Sequence, residues 1–478
     1  MIHRSFRLGA VFLDMEVLGN ADAGGRLLER LSTLPARVGR IRPASESAPE
    51  KGASQPPEGP DDALDIPVDP ASRAVPREVG ALCKEIEGYG MNPAEVLLVS
   101  ADGSLLKTAR EAGMVTLRVG STEDGPPTDL TVPDLDGVVD AVRLGLPLSG
   151  GKFPNELLER HFTDFPFDDP SLIVQPAVGE DTAAVDIAAD EVLVLKSDPI
   201  TFAADAMGQY AVLVNANDIA TAGARPRWML TTLLFPPATT PSEVLLVMQE
   251  LQQVSRQWGI TLCGGHTEIS DAVTRPVVVG VMAGTVTRAG LVDKADMRPG
   301  DRVYLTKAVA VEGTSIIARE LAPRLEDLGV RTEEIDRCRD FLENISIIEE
   351  AALAARCGGV SAMHDVTEGG LATALRELAQ AGGHRIRVNV ERIPVFDETR
   401  RLCRLLGIDP LGLIGSGSLL ICCRPDDADR LAADITAAGI RITEIGEVVD
   451  GKSGVEAFEN GHPVPWPRFE VDEITKVF

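Results

Sequence analysis

The sequence predicts a multidomain α/β protein, on three observations. Its 478 residues exceed the usual size of one domain, so two or three are expected. Apolar runs at Val96–Val99 and Val115–Val119 flank a helix-period segment at Leu105–Ala112. That βαβ alternation favours a parallel sheet. A content of 44% hydrophobic and 25% charged residues is globular rather than disordered. With aromatics at only 4%, the cores must be built mainly from Ala, Val, Leu and Ile.

Taken in order, Leu8–Leu18 reads as a buried strand ending in carboxylates, followed by a short helix near Gly25–Leu34. Pro43–Pro76 has no hydrophobic period and is rich in Pro, Ser, Ala and acids, so a loose insertion is expected. A helix near Arg77–Tyr89 precedes the βαβ unit. Gly145–Lys152 (GLPLSGGK) marks a boundary and leads into a helix at Asn155–Phe162. It lacks the GxxxxGK[ST] pattern of a P-loop, so Lys152 stands as either linker or phosphate clamp.

The stretch Val178–Glu268 then gathers carboxylates beside small residues or at the ends of apolar runs: Gly179–Val185, Lys196–Pro199, Asn215–Asp218 and Gly264–Glu268. Hard oxygen ligands of this kind suit Mg²⁺, which usually enters with substrate phosphates. Val192–Leu195 is a strand leading to Ser197-Asp198. Tyr210–Ala222 is a helix stopped by Gly223, with Asn215 and Asp218 three apart and so able to face one site. Trp228–Phe235 is a strand, and Ser242 is the expected N-cap of a helix at Glu243–Trp258. Strand Ile260–Cys263 delivers Gly264-Gly265-His266-Thr267-Glu268: glycines for close backbone approach, then a proton carrier, a hydroxyl and a carboxylate. Pro276–Val286 is a further strand.

After the turn Met297–Asp301 come strand Arg302–Thr306, helices near Thr314–Leu321 and Cys338–Arg356, and strand Val360–Met363. Asp365 is placed to cap a helix opened by Gly369-Gly370, a start able to receive an anion. Strand Leu419–Cys422, helix Pro425–Ala438 and strand Thr443–Val448 close the chain.

Composition excludes several functions. A formal net charge of −27 opposes a general nucleic-acid surface, though a local pocket with metal ions still admits a nucleotide. The seven cysteines show no metal-ligand or disulfide spacing, and Cys422-Cys423 reads as small buried hydrophobes. No apolar run reaches the ~18 residues of a membrane span, and no secretory segment is visible. A soluble, cytoplasmic protein is expected.

Two resemblances sharpen this. Ala10–Leu18 and Asn92–Val119 resemble the first and last motif regions of the haloacid dehalogenase superfamily, with Asp14 at the nucleophile and Glu16 at the acid/base position. Ser100-Ala101-Asp102 departs from that superfamily's metal-binding pattern, which implies a degenerate, structural remnant of Rossmann-like fold over residues 1–148.

From about Gly151 to Pro467 the chain resembles the superfamily of aminoimidazole ribonucleotide (AIR) synthetase, selenophosphate synthetase, thiamine-monophosphate kinase and HypE. The resemblance rests on Gly179–Val185, Ser197-Asp198, Val214–Asp218 with Gly223–Pro226, Gly264–Glu268, Arg298–Asp301 and His364–Leu371, and Glu312–Thr314 points most nearly to HypE-like members. It implies the two-domain AIR synthase-like fold: an ATP/Mg-binding domain at 149–296 and a C-terminal domain at 297–478. It also implies a homodimer, ATP and Mg²⁺ as cofactors, and a small-molecule substrate that is phosphorylated or activated.

By position, Asp181, Asp198, Asp218 and Glu268 would bind metal. Lys152, Asn215, Asn217, Gly264, Gly265, Thr267, Gly369 and Gly370 would hold the nucleotide, with His266, Glu268 and Asp365 as candidate catalytic groups. The ending Thr475–Phe478 lacks the cysteine that carries the carbamoyl group in HypE, so carbamoyl dehydration is not expected. The alternative to an enzyme is a non-catalytic nucleotide-binding accessory or maturation protein.

Overall fold

A computed structural model describes residues 4–14, 21–34, 36–43, 64–68, 86, 90–120, 126–148, 151–153, 155–164, 169–174, 184–185, 187–201 and 205–478. It divides into two compact units. The first comprises Met1–Pro154, Leu234–Gln249 and Glu268–Arg275; the second comprises Asn155–Leu233, Glu250–Thr267 and Pro276–Phe478.

The first unit holds β1 (Ala10–Asp14), α1 (Ala21–Ser32), β2 (Arg37–Pro43), β3 (Leu64–Val68), β4 (Val96–Ser100), α2 (Gly103–Glu111), β5 (Val115–Val119), β6 (Leu130–Val132) and α3 (Asp136–Arg143). The strands run in the order β3-β2-β1-β4-β5-β6, all neighbours parallel. This is the doubly wound arrangement, with its reversal between β1 and β4. Alternate residues explain why the strands read as unbroken apolar runs. Val11, Leu13, Leu97 and Val99 pack one way, against Leu27, Leu31 and Val138. Ala10, Phe12, Val96 and Leu98 pack the other way, against Ala109 and Met114.

Here β3 corrects one expectation. It lies inside the Pro-rich stretch and pairs with β2, because Leu64–Val68 is a short apolar island whose backbone completes the sheet edge. The helix expected near Arg77–Tyr89 lies outside the described residues except for Ile86, which is buried and helical.

The first unit also contains β7 (Gly151–Lys152) and the start of a later helix, Pro241–Gln257. That helix opens with Pro at its first position and a reciprocal cap: Thr240 N–H donates to Glu243 Oε2 at 2.7 Å, and Glu243 N–H donates to Thr240 Oγ1 at 3.4 Å. Ser242 is therefore not the N-cap. Its hydroxyl donates to Phe6 C=O at 2.7 Å and accepts from Phe6 N–H at 3.0 Å.

The second unit begins with α4 (Asn155–Asp164) and a small hairpin, β8 (Leu172–Val174) with β9 (Ala184–Val185). Next come β10 (Glu191–Ile200), α5 (Met207–Thr221), β11 (Arg225–Phe235), α6 (Pro241–Gln257), β12 (Thr261–Ile269) and β13 (Val277–Thr287). Here β10 pairs antiparallel with β13, which is followed in the sheet by β11 and then β12. Thirteen of the fifteen residues of α5 are buried, so this helix is apolar on all sides and forms the centre of its layer. It lies against β10 and β13 because β13 offers glycine there: a Cβ on Gly280 would meet Asn215 Nδ2 at 2.4 Å.

The remainder is β14 (Arg302–Thr306), α7 (Val311–Glu320), α8 (Ala322–Asp327), α9 (Thr332–Arg339), α10 (Ile348–Cys357), β15 (Val360–Asp365), α11 (Gly370–Ala381), β16 (Arg385–Asn389), α12 (Asp397–Leu406), β17 (Leu419–Cys423), α13 (Pro425–Ala437), β18 (Ile442–Val449), β19 (Gly454–Glu459) and β20 (His462–Val464). The strands form one mixed sheet in the order β15-β17-β14-β18-β16-β19-β20. The single helix expected over Cys338–Arg356 is instead α9, a 3₁₀ turn and α10. Asn217 provides a local cause: its side chain holds Ile345 C=O and Ile347 N–H at 2.9 Å each, so that backbone is not paired within a helix. Cys422 and Cys423 are both fully buried, unpaired and on opposite faces of the sheet.

Candidate functional site

A cavity of about 280 Å³ lies in the second unit. Its polar lining includes Lys196, Asp198, Glu312, Thr367, Glu368 and Ser416, and Pro199, Ile200, Val214 and Ile414 supply apolar wall. Each comes from a definable place. Lys196 and Asp198 alternate along β10, two residues apart and so on one face. Val214 comes from α5 and Glu312 from the first turn of α7. Thr367 and Glu368 follow β15, and Ile414 and Ser416 precede β17.

Beside the cavity is a charged cluster. Lys196 Nζ stands 3.0 Å from Asp198 Oδ2 and 3.3 Å from Asp218 Oδ2. Burial acts to lower the lysine pKa, but the Asp218 and Asp198 carboxylates more than reverse this and raise it above its ordinary value. Asp218 is pushed upward, first by burial and then by the charge of Asp365. Asp365 is likewise raised, chiefly by burial. Two buried oxygens lack a hydrogen-bond donor: Asp218 Oδ2, for which the lysine is an ion partner without hydrogen-bond geometry, and Asp365 Oδ2. Unsatisfied hard oxygens thus stand on α5 and at the end of β15, close to the Asp198 carboxylate at the end of β10, and a positive charge would relieve the repulsion among these acids.

Among the described residues no three His, Cys, Asp or Glu side chains are grouped closely enough to hold a metal by themselves. The donor chemistry still fits Mg²⁺, which is often held by one or two carboxylates with water and phosphate oxygens completing the shell.

The expected site residues fall into distinct places. Asp198, Asp218 and Asp365 come together. Asp181 lies outside the described residues, as does Glu16 in the first unit. Asn215 and Asn217 spend their amides on backbone: Asn215 on Asp198 and Ala211, Asn217 on residues 345 and 347. Gly264–Glu268 is part of β12 rather than a loop after it, with His266 exposed. The missing side chain of Gly265 makes room for β11, since a Cβ there would stand 2.1 Å from Thr231 C=O. Thr267 is half-buried on the same strand. Glu268 belongs to the first unit, where its backbone pairs with that of Lys152.

Asp365 ends β15 and does not cap α11. The N-cap is Gly369 (φ 73°), whose N–H is taken at 2.6 Å by Asp472 Oδ2, a carboxylate over a hundred residues away. Gly369 and Gly370 therefore open a helix whose first anion is intramolecular. Asp472, like Glu312, Ser416 and Lys196, was absent from the sequence-based site. Nothing in the pattern Glu470-Val-Asp-Glu-Ile marks Asp472, whereas Lys196 stands in the Lys-Ser-Asp-Pro motif and was open to selection.

Residues 179–286 match the family model described as AIR synthase related protein, N-terminal domain, and residues 298–458 match its C-terminal domain; together these cover more than half of the chain. The chain is 27% identical over 318 residues to the carbamoyl dehydratase HypE of Cupriavidus necator, spanning 64% of this chain and 86% of that one. Among solved structures, Escherichia coli HypE superposes with a TM-score of 0.57 at 23% identity, over 67% of this chain and 100% of that one. A hydrogenase maturation protein HypE in complex with ATP gives 0.54 at 21% identity, over 66% and 93%. In the described residues no helix is long and apolar enough to cross a membrane.

Proposed function

The chain belongs to the AIR synthase related protein family, and from that premise we propose that it is an ATP- and Mg²⁺-dependent enzyme that phosphorylates or otherwise activates a small substrate. The observation that carries this reading is the cluster Lys196, Asp198 and Asp218 beside a cavity of nucleotide-fragment size, with Asp365 behind it. A HypE of the same fold has been solved with ATP, which supports ATP as the nucleotide. Asp198 and Asp218 would hold the metal, which would neutralise phosphate charge. Phosphoryl transfer asks mainly for positioning and charge neutralisation. The chain's own contribution is to fix Asp198 by its neighbour Asn215 and to supply a cation in Lys196. Glu312, buried in the cavity wall, supplies a carboxyl able to hold or accept a proton.

The same reading includes a homodimer. On the β10–β13 pair, the face opposite Lys196 and Asp198 carries Leu193, Leu195 and Val281, exposed by 41%, 65% and 39%. A second copy presenting the same stripe would bury it, as isologous interfaces do. In the first unit, the haloacid dehalogenase-like reading is of a non-catalytic remnant. Asp14 is buried, with Ser100 Oγ donating to it at 2.7 Å, while Asp102 caps α2 through the Ser104 and Leu105 amides.

A specific observation favours the second reading, a nucleotide-binding accessory protein without turnover. Lys196 stands between Asp198 and Asp218 and offsets part of their negative charge without a metal. One experiment separates the two: thermal shift with ATP, ADP and Mg²⁺, followed by phosphate release across amine, carboxylate and phosphate substrates. The enzyme reading expects Mg²⁺-dependent turnover lost in Asp198→Ala and Asp218→Ala. Nucleotide stabilisation with no turnover would leave the accessory protein.

A further inference from the structure

The segment Trp466–Val477 runs back over the two loops that line the cavity. Trp466 Nε1–H donates to Ala372 C=O at 3.1 Å, and Arg376 donates to Pro467 C=O at 2.7 Å. The ring of Phe469 covers Gly412, where a Cβ would stand 2.6 Å from ring carbons. The segment then delivers Asp472, which is 9% exposed. Its Oδ2 accepts from Gly369 N–H at 2.6 Å, and its Oδ1 accepts from Ile414 N–H at 3.2 Å and from Ile474 N–H at 2.8 Å. One carboxylate thus ties together the loop holding Thr367 and Glu368 and the loop holding Ile414 and Ser416.

Backbone hydrogen bonds and close backbone approach also join these loops. Gly370 has φ 60°, and a Cβ there would stand 2.5 Å from Leu411 C=O. Gly415 N–H reaches Thr367 C=O at 3.3 Å, and Ser416 N–H reaches Glu312 at 3.3 Å. A shift of either loop therefore moves the cavity wall and the partner of Glu312. The amide at the head of α11 attracts an anion by its dipole, and the Asp472 carboxylate takes that place.

We propose that Asp472 is a positioning residue for the nucleotide cavity, setting the Thr367–Gly370 and Leu411–Ser416 loops in the arrangement that receives the ligand. This rests on the nucleotide reading above and adds to it a residue remote in sequence that does not itself line the cavity. An Asn side chain keeps the Oδ1 acceptor for two amides but sets an NH₂ group against the third, so Asp472→Asn is the graded variant and Asp472→Ala the full one.

The test compares full-length wild type, Asp472→Ala, Asp472→Asn and Ser361→Ala. The last removes a buried hydrogen bond to Asp301 elsewhere in the same unit and controls for general destabilisation. Mg·ATP affinity and amide exchange are measured on all four. Asp472→Ala is expected to bind Mg·ATP about tenfold more weakly, with Asp472→Asn between it and wild type. Gly369 and Ile414 amides should exchange faster in Asp472→Ala than in Ser361→Ala, whose affinity stays within about twofold of wild type. Asp472→Ala binding within about twofold of wild type, or exchange at these amides no faster than in the control, would overturn the proposal. If wild type takes up no nucleotide, the functional reading falls, and the exchange comparison still decides whether Asp472 orders the loops.

Discussion

Asn215 grips the backbone of Asp198 on both sides: its Oδ1 accepts Asp198 N–H at 2.9 Å while its Nδ2–H donates to Asp198 C=O at 3.3 Å. A helix side chain thereby extends the hydrogen bonding of β10 at the residue that carries the foremost carboxylate. Asn215 is fully buried, so the pairing is held in a dry layer between α5 and the sheet.

Asn215→Ala is expected to lower unfolding free energy by about 2 kcal/mol, the cost of leaving buried backbone groups unpaired. It should also weaken Mg·ATP affinity, because Asp198 is no longer fixed. Urea unfolding and nucleotide titration on the same variant check both; a normal affinity would remove Asn215 from any positioning role.

Asp218→Asn is expected to separate stability from function. Burial and the neighbouring Asp365 charge raise the Asp218 pKa, so replacing the carboxylate by a neutral amide relieves repulsion. Thermal denaturation at neutral pH should show an equal or higher Tm together with loss of Mg²⁺-dependent turnover. A fall in Tm would mean that the ion pair with Lys196 outweighs the repulsion.

Glu312 sets a pH dependence. Burial pushes its carboxyl from 4.5 up to about 7, and the Ser416 hydrogen bonds only partly oppose this. The folded state therefore binds more protons than the unfolded chain between these values. Its contribution to stability is complete below about 4.5 and is lost as the pH rises through about 7. Unfolding free energy measured from about pH 5 to about pH 8 should fall less steeply in Glu312→Gln than in wild type. Identical slopes would show that Glu312 is ionised in the folded protein throughout.

Asp301 is a structural acid despite its place in the Arg298-Pro-Gly-Asp301 motif. It is 1% exposed and takes the Arg424 guanidinium, the Ser361 hydroxyl and the Arg298 amide. Arg424→Met should destabilise by about 3 kcal/mol, since it strands a buried charge. Mg·ATP affinity of the folded variant should be unchanged, and a selective loss of affinity would place the pair in the site instead.

Asp14→Asn tests the first unit. With Asp14 engaged by Ser100 and no catalytic role assigned to it, phosphate release from any substrate is expected to stay at the wild-type level. Its abolition in this variant would make the first unit a working phosphatase.

Much of the fold was legible because it depends on local pattern. Val115–Val119 and Arg302–Thr306 form strands over the residues the sequence indicates, since each is a β-rich apolar run bounded by turn residues. The helix bearing Asn215 and Asp218 was legible from its apolar faces and from Gly223. Less legible were features whose partner is distant. Leu64–Val68 becomes a strand only because β2 offers an edge, and Ser242 loses its expected capping role because Phe6 claims its hydroxyl.

The same division holds at the candidate site. The sequence by itself determined which carboxylates are available, Asp198, Asp218 and Asp365, and the order of motifs that makes the family recognisable. Only the tertiary structure decided how they are used. Lys196 bridges two of the acids, Asn215 and Asn217 turn inward to backbone, and Asp472 takes the helix start that the Gly369-Gly370 pair seemed to hold open for a ligand. The reason is physical: a buried donor or acceptor must be satisfied by whatever the fold brings within about 3 Å, and sequence spacing constrains that neighbour only within one helix or strand.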